Sequence, residues 1–270
     1  MVTLFLTEER KSAMHRFIVL GICSFLPFAT TLFASEQNCQ QTSFENNSAS
    51  NNAYASKDWW NAFWTNSEGW GEPNGRVMSV IESLDGSKQT ISIVDIGAGN
   101  GRHSILSLLR LFEKRIPKSH FTVHCFDYSK QALEKLRAYE LPKWLHLVTH
   151  EADINTLSAD RVPKADLLLL YGILEYVEDK NLSYVLSLAA QTLHIGGYLV
   201  VVTLVQGPGA LVIESETTRD PEVYTQYLAH LDGLKFVDTP TVTARPDRHD
   251  LGKGYPEDHL HYVFRSLLKK

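Results

Sequence analysis

Cysteine is scarce in this chain, with three among 270 residues. Cys23, Cys39 and Cys125 are odd in number and scattered, which argues against a disulfide framework and against a cysteine metal site. Cys125 falls in an apolar run and reads as a buried free thiol. A basic block is missing as well. The formal net charge is −5, so the electrostatic footprint of a dedicated nucleic-acid binder is absent. DNA is therefore not an expected partner, while a local patch for RNA stays open. Metal-type spacing is also lacking among the histidines. His249, His259 and His261 fall close together, and His259 and His261 would share a face in a strand. No third and fourth ligand is well placed, so no metal is expected.

What remains is enough for one α/β domain plus an N-terminal extension. Residues 1–56 read as a targeting or apolar segment followed by a flexible linker. Phe17 to Ala34 is uncharged and mostly apolar, preceded by Arg10, Lys11 and Arg16. From Met14 to Ser35 it resembles a secretory signal or an organelle import segment. As a membrane span it is near the lower length limit, so a transient membrane contact through 17–34 is the most it supports. Ser35 to Lys57 is rich in Asn, Ser and Gln and has too little apolar surface to order itself.

The catalytic-type pattern begins at Lys57. Trp60, Phe63 and Trp64 recur at helical spacing and must bury against something. A second short helix is expected over Arg76–Leu84, so residues 57–85 read as N-terminal cap helices of a domain spanning 57–270. Ile91 to Asp95 is a β-branched strand closed by a carboxylate. Gly97, Ala98, Gly99, Asn100 and Gly101 follow, with glycine at every second position. Glycine permits positive φ and lets a ligand approach the backbone without meeting a Cβ. The N–H groups ahead of the next helix, expected from about Arg102 to Lys114, suit an electron-rich ligand group. Together they point to a nucleoside-type cofactor at the carboxyl end of a first parallel strand.

The spacing Asp95-x-Gly97-x-Gly99-x-Gly101 differs from the G-x-G-x-x-G of dinucleotide folds. It resembles motif I of the class I S-adenosylmethionine-dependent methyltransferases. Three further elements follow in the family's order. Phe121 to Asp127 is a strand ending on an acid, and Asp127-Tyr128-Ser129 resembles motif II. Glu151-Ala-Asp153-Ile154 follows a third strand over Leu145–Thr149. A helix over Asn181–Leu193 is expected to end through a glycine cap at Gly196-Gly197. Leu193-x-x-Gly196-Gly197 before an apolar strand over Tyr198–Leu204 resembles motif VI. The resemblance covers roughly Asp58 to Lys270.

It implies a three-layer, Rossmann-like α/β fold. The expected sheet is mostly parallel and seven-stranded, in the order 3-2-1-4-5-7-6, with a helical cap. Phe236–Thr243 and His261–Leu267 would form its last two strands. The implied cofactor is S-adenosyl-L-methionine. Asp95 and the loop of Gly97, Ala98, Gly99 and Gly101 would hold its methionine part. Asp127 would accept both ribose hydroxyls, and Tyr128 would pack on the adenine. Asp153 and the Ile154 N–H would meet the adenine edge, with Glu151 competing for that place.

The fourth strand, from Ala165 to Tyr171, leads into the segment that faces the transferred methyl group in this family. Tyr171 is expected to be catalytic and to touch both cofactor and acceptor, and Glu175 is the nearest match to a catalytic acid or base. No Asn-Pro-Pro-Tyr signature and no Pro-Cys nucleophile is present, which argues against DNA base methylation. A small-molecule acceptor is implied, with an RNA or protein acceptor, or a non-catalytic cofactor binder, as alternatives. A nicotinamide-dependent oxidoreductase is disfavoured by the glycine spacing. The cofactor implies a cytoplasmic catalytic domain, in conflict with the signal-like character of residues 14–35. The aromatic helix is expected either to cover the cleft or to pack on the sheet edge.

Overall fold

The computed structural model describes residues 56–67, 69, 71–210, 216–247 and 259–270. The apolar N-terminal run, the Asn/Ser-rich stretch, Cys23, Cys39, Trp70 and His249 lie outside them. Ser56 caps the first helix, α1 (Lys57–Asn66), by accepting from the Trp59 N–H at 3.2 Å. Asn74 caps α2 (Gly75–Leu84), accepting from the amides of Arg76 and Val77. Strands and helices then alternate: β1 (Thr90–Ile96), α3 (Ile105–Leu111), β2 (His120–Asp127), α4 (Lys130–Arg137), β3 (Leu145–Glu151) and β4 (Ala165–Tyr171). The chain continues through α5 (Asp179–Thr192), β5 (Leu193–Val205), α6 (Pro221–Ala229), β6 (Lys235–Phe236), β7 (Thr241–Asp247) and β8 (His259–Lys269).

All eight strands join one sheet in the order β3-β2-β1-β4-β5-β8-β6, with β7 also on β8. The five from β3 to β5 are parallel, and β8 runs antiparallel to β5. β4 explains why the sheet needs covering on both sides. Its alternate leucines point to opposite faces, as the period of a strand requires. Leu168 and Leu170 join a core with α5 and α6, and Leu167 and Leu169 join one with α2, α3 and α4. Cys125 is buried in the second of these cores as a free thiol. The result is a three-layer, Rossmann-like α/β fold with a mostly parallel sheet.

Four local expectations are corrected. The sixth strand is broken rather than continuous. Phe236 pairs with Leu268 and Thr241 with Arg265, so the chain spends two extra residues between them. Pro240 sits in that interval and has no N–H to give a ladder. Gly196 and Gly197 do not end a helix; they lie inside β5, where the register with β4 shifts. Gly196 takes φ +83°, and a Cβ on Gly197 would meet three backbone carbonyls at 3.0–3.2 Å. The helix expected from Arg102 begins only at Ile105, because residues 101–104 form a tight turn in which the Ser104 amide donates to Gly101 O. Finally, α2 is no cap. Val77, Val80, Ile81 and Leu84 bury it in the layer over the sheet.

Candidate active site

The loop after β1 is bonded mainly to its neighbours at the end of β2. Gly97, Gly99 and Gly101 take φ of +76°, +55° and +74°, a region that favours glycine. The amides of Gly97 and Ala98 donate to Phe126 O at 2.8 and 3.1 Å. The Gly99 amide donates to Asp127 Oδ2 at 2.8 Å, and the Ser129 amide to Asp127 Oδ1 at 2.8 Å. Ser129 in turn caps α4, accepting from the Ala132 amide, and its hydroxyl donates to Asn61 Oδ1 of α1. Asp95 lies beneath the loop and accepts from Ser104 Oγ at 2.6 Å.

Burial dominates the electrostatics of both acids. It pushes Asp95 up to about 7, with the Asp127 charge adding to the rise and the Ser104 hydroxyl opposing it. It pushes Asp127 up to about 6 against the pull of the Ser129, Gly99 and Tyr128 amides. Burial, followed by the charges of Asp127 and Asp153, raises Tyr128 above the ordinary tyrosine range. Asp153 itself is exposed and accepts from the Asn155 amide at 2.9 Å, while Ile154 is buried behind it. The competing Glu151 is exposed and ion-paired with Lys57. These groups therefore gather at the carboxyl ends of β1, β2 and β3, the usual ligand side of an open α/β sheet.

The aromatic helix lies across this edge. Phe63 and Trp64 are buried with Ala132 of α4, and Trp59 and Trp60 pack beside them. Lys57 reaches Glu151 after β3, and Trp60 stands edge-on to Tyr176 after β4, with centroids 5.7 Å apart. A Cβ on Gly99 would come within 2.6 Å of the Trp64 indole, and one on Gly97 within 2.7 Å of Ile173. Valine at either position would thus collide with protein side chains as well as with any ligand. A ligand approaching Gly99 from its Cβ side would meet the Trp64 indole.

The two expected catalytic side chains turn to different partners. Tyr171 Oη accepts from Asn74 Nδ2 at 3.3 Å, and its ring stacks on His103 with centroids 3.6 Å apart. Glu175 is 4% exposed and accepts from Thr203 Oγ1 at 2.8 Å. Burial raises it to about 7, opposed by its own backbone amide and by Thr203.

Three residues escaped sequence reasoning. Glu216 accepts from the Tyr176 hydroxyl at 3.1 Å, and burial plus the Glu175 charge raise it to about 8. Arg219 is 7% exposed and bonds Leu174 O, Val177 O, Thr217 O, Tyr224 Oη and Asp179. His103 is buried, and desolvation lowers it to about 3, with the Arg102 charge acting the same way. Only His103 carried a signal, its position directly after the glycine loop. Glu216 and Arg219 sit in a loop with no periodicity to mark them. Farther along the edge, His259 Nε2 and His261 Nε2 are 2.8 Å apart. Among the described residues no group of three or more His, Cys, Asp or Glu is arranged to hold a metal ion. No helix among them is long and apolar enough to cross a membrane.

Strand order and the helices on both faces of the sheet define a Rossmann-like fold, one that methyltransferases among solved structures share. Among solved structures the chain is similar to TehB from Haemophilus influenzae, with a TM-score of 0.54 and 15% identity. That match covers 79% of this chain but 66% of TehB, so the chain spans just under two thirds of the TehB length. It is also similar to an S-adenosylmethionine-dependent methyltransferase from Archaeoglobus fulgidus, with a TM-score of 0.47, 14% identity, and coverage of 80% of this chain and 95% of that one. No family model and no curated protein sequence matches the chain.

Proposed function

We propose that the protein transfers the methyl group of S-adenosylmethionine to a small-molecule acceptor. The observation that carries this reading is the Gly99 N–H bond to Asp127 Oδ2 at 2.8 Å, which joins the glycine loop and the second-strand acid into one buried cradle. The donor set fits the cofactor. Asp127 offers two acceptor oxygens for two ribose hydroxyls, and its present partners leave further lone pairs for them. Asp95 orders the loop that would hold the methionine part, Tyr128 would pack on the adenine, and Asp153 and Ile154 would meet its edge. When bound, the cofactor supplies a sulfonium-activated methyl group that a nucleophilic atom of the acceptor attacks in line.

The protein's own work is alignment and exclusion of water. Trp60 and Trp64 of α1 cover the edge where transfer would occur. Tyr171 and Glu175 would flank the acceptor. A Glu175 carboxyl raised to about 7 can hold or take up a proton near neutral pH, as a general base for an acceptor that must lose one.

Calorimetry on the full chain tests the reading. S-adenosylmethionine should bind and nicotinamide dinucleotides should not; the reverse result replaces it with the oxidoreductase. Labelled methyl should then pass to a small-molecule fraction and not to RNA or protein.

The acids add a pH signature. Binding through ionised Asp95 and Asp127 must expel the protons that burial holds on them at about 7 and about 6. Affinity should therefore be full above pH 8 and should fall as pH drops through 7 and 6, by up to about tenfold per pH unit for each acid. Titrations in buffers of different ionisation enthalpy should show proton release on binding at pH 6. Proton uptake, or affinity flat from pH 8 to 5, would remove these two acids from the cofactor site.

A further inference from the structure

Asn74, the cap of α2, also orients two side chains beside the site. Its backbone N–H donates to His103 Nδ1 at 3.2 Å, and its side-chain amide donates to Tyr171 Oη at 3.3 Å. Because Nδ1 accepts, a neutral His103 carries its proton on Nε2. Because Tyr171 Oη accepts from Asn74, its own proton remains to be donated elsewhere. One residue thus leaves two neighbouring groups each with a proton to donate.

Among the described residues His103 Nε2 has no hydrogen-bond partner, although the residue is only 7% exposed. Buried polar atoms in folded proteins are nearly always paired, so an unpaired one calls for an explanation. The surroundings supply a chemical one. Arg102 Cζ lies 5.9 Å from the centroid of the Tyr171 ring that stacks on His103. Arg245 of β7 is close enough for its charge to oppose that of Arg102. Two oriented neutral donors and two guanidinium groups suit an anionic oxygen, since charge-assisted bonds to such an oxygen are the strong ones.

We propose that His103 and Tyr171, oriented by Asn74, form with Arg102 and Arg245 a subsite for a carboxylate carried by the methyl acceptor. The position favours the acceptor. Tyr171 ends β4 and Arg245 pairs with His261 of β8, toward the opposite edge of the sheet from Asp127 at the end of β2. The inference rests on the methyltransferase reading, so its test separates the two.

The probe is sodium benzoate, with benzamide as its uncharged counterpart. Each is titrated into the full chain while the imidazole nitrogen resonances are followed, with His103→Gln giving the assignment. Benzoate should shift the His103 Nε2 resonance and bind at least about tenfold more tightly than benzamide, a difference of about 1.4 kcal/mol. Arg102→Met and Tyr171→Phe should each abolish that preference while circular dichroism shows a retained fold. No preference for benzoate, or one that survives in both variants, overturns the subsite. Saturating S-adenosylmethionine should leave benzoate binding intact. If it blocks benzoate while decarboxylated S-adenosylmethionine does not, the carboxylate held there is the cofactor's and the acceptor assignment falls. Failure of S-adenosylmethionine to bind at all, with the benzoate preference retained, would overturn the methyltransferase reading and leave an anion site.

Discussion

Asp127→Ala should weaken S-adenosylmethionine binding by about ten- to a hundredfold, because a hydrogen bond to a charged group is worth about 1.5–3 kcal/mol. The same change takes away the acceptor for the Gly99 and Ser129 amides. Leaving a buried donor unsatisfied costs about 1–3 kcal/mol, so the unliganded fold should lose stability too. Asp127→Asn separates the two effects. Its one amide oxygen can serve a loop amide or a ribose hydroxyl, but it cannot replace both carboxylate oxygens. Affinity should fall to an intermediate value while part of the stability returns, since one of the two loop amides regains an acceptor. Calorimetry and thermal unfolding on the same samples give both readings. A folded Asp127→Ala protein with unchanged affinity would place the ribose elsewhere.

The same residues show what periodicity can reveal. Five parallel strands were legible because each is an apolar run of strand length bounded by turn residues, and β4 needed apolar side chains on both faces. The site acids were legible because each closes such a run. Asp95 and Asp127 needed no distant information. The helix of Trp60, Phe63 and Trp64 was legible as a helix but not in its placement, which depends on Lys57 meeting Glu151 and Asn61 meeting Ser129. Nothing local encodes those pairings. Gly196-Gly197 misled because a glycine pair after a helix serves a cap and a strand bulge equally well. The outcome was decided by the shift in pairing between β4 and β5 and by the bond from the Gly196 amide to Lys270 O at the far end of the chain. Tyr171 and Glu175, four residues apart, were both expected beside the transferred methyl group. The strand ending at Tyr171 and the short turn at Leu174–Tyr176 send them to Asn74 and Thr203 instead.

Arg219 makes the largest stability prediction, and the least legible one. Its guanidinium lies between the loop after β5 and the turn after β4. It donates to Leu174 O at 3.1 Å, to Val177 O at 2.6 Å, to Thr217 O at 3.1 Å and to Tyr224 Oη at 3.1 Å. Asp179 completes the set, but that carboxylate is largely exposed and loses little when the arginine goes. The carbonyls are different, since Leu174 and Val177 are buried. Leu174 O keeps the Val177 amide, so Val177 O is the acceptor left unsatisfied at about 1–3 kcal/mol. The lost bonds to Leu174 O, Thr217 O and Tyr224 Oη add about 0.5–1.5 kcal/mol each, which predicts that Arg219→Ala lowers stability by about 2.5–7.5 kcal/mol. A urea titration should show a lower midpoint with an unchanged slope. Lysine should rescue little, because a single ammonium cannot span acceptors that the planar fork meets together. The turn held by Arg219 carries Glu175 and Tyr176, whereas the glycine loop and Asp127 are bonded to other elements. Below the unfolding temperature, the variant should therefore bind S-adenosylmethionine normally while turning over an acceptor more slowly. Equal losses of affinity and turnover would instead tie the loop after β5 to the cofactor.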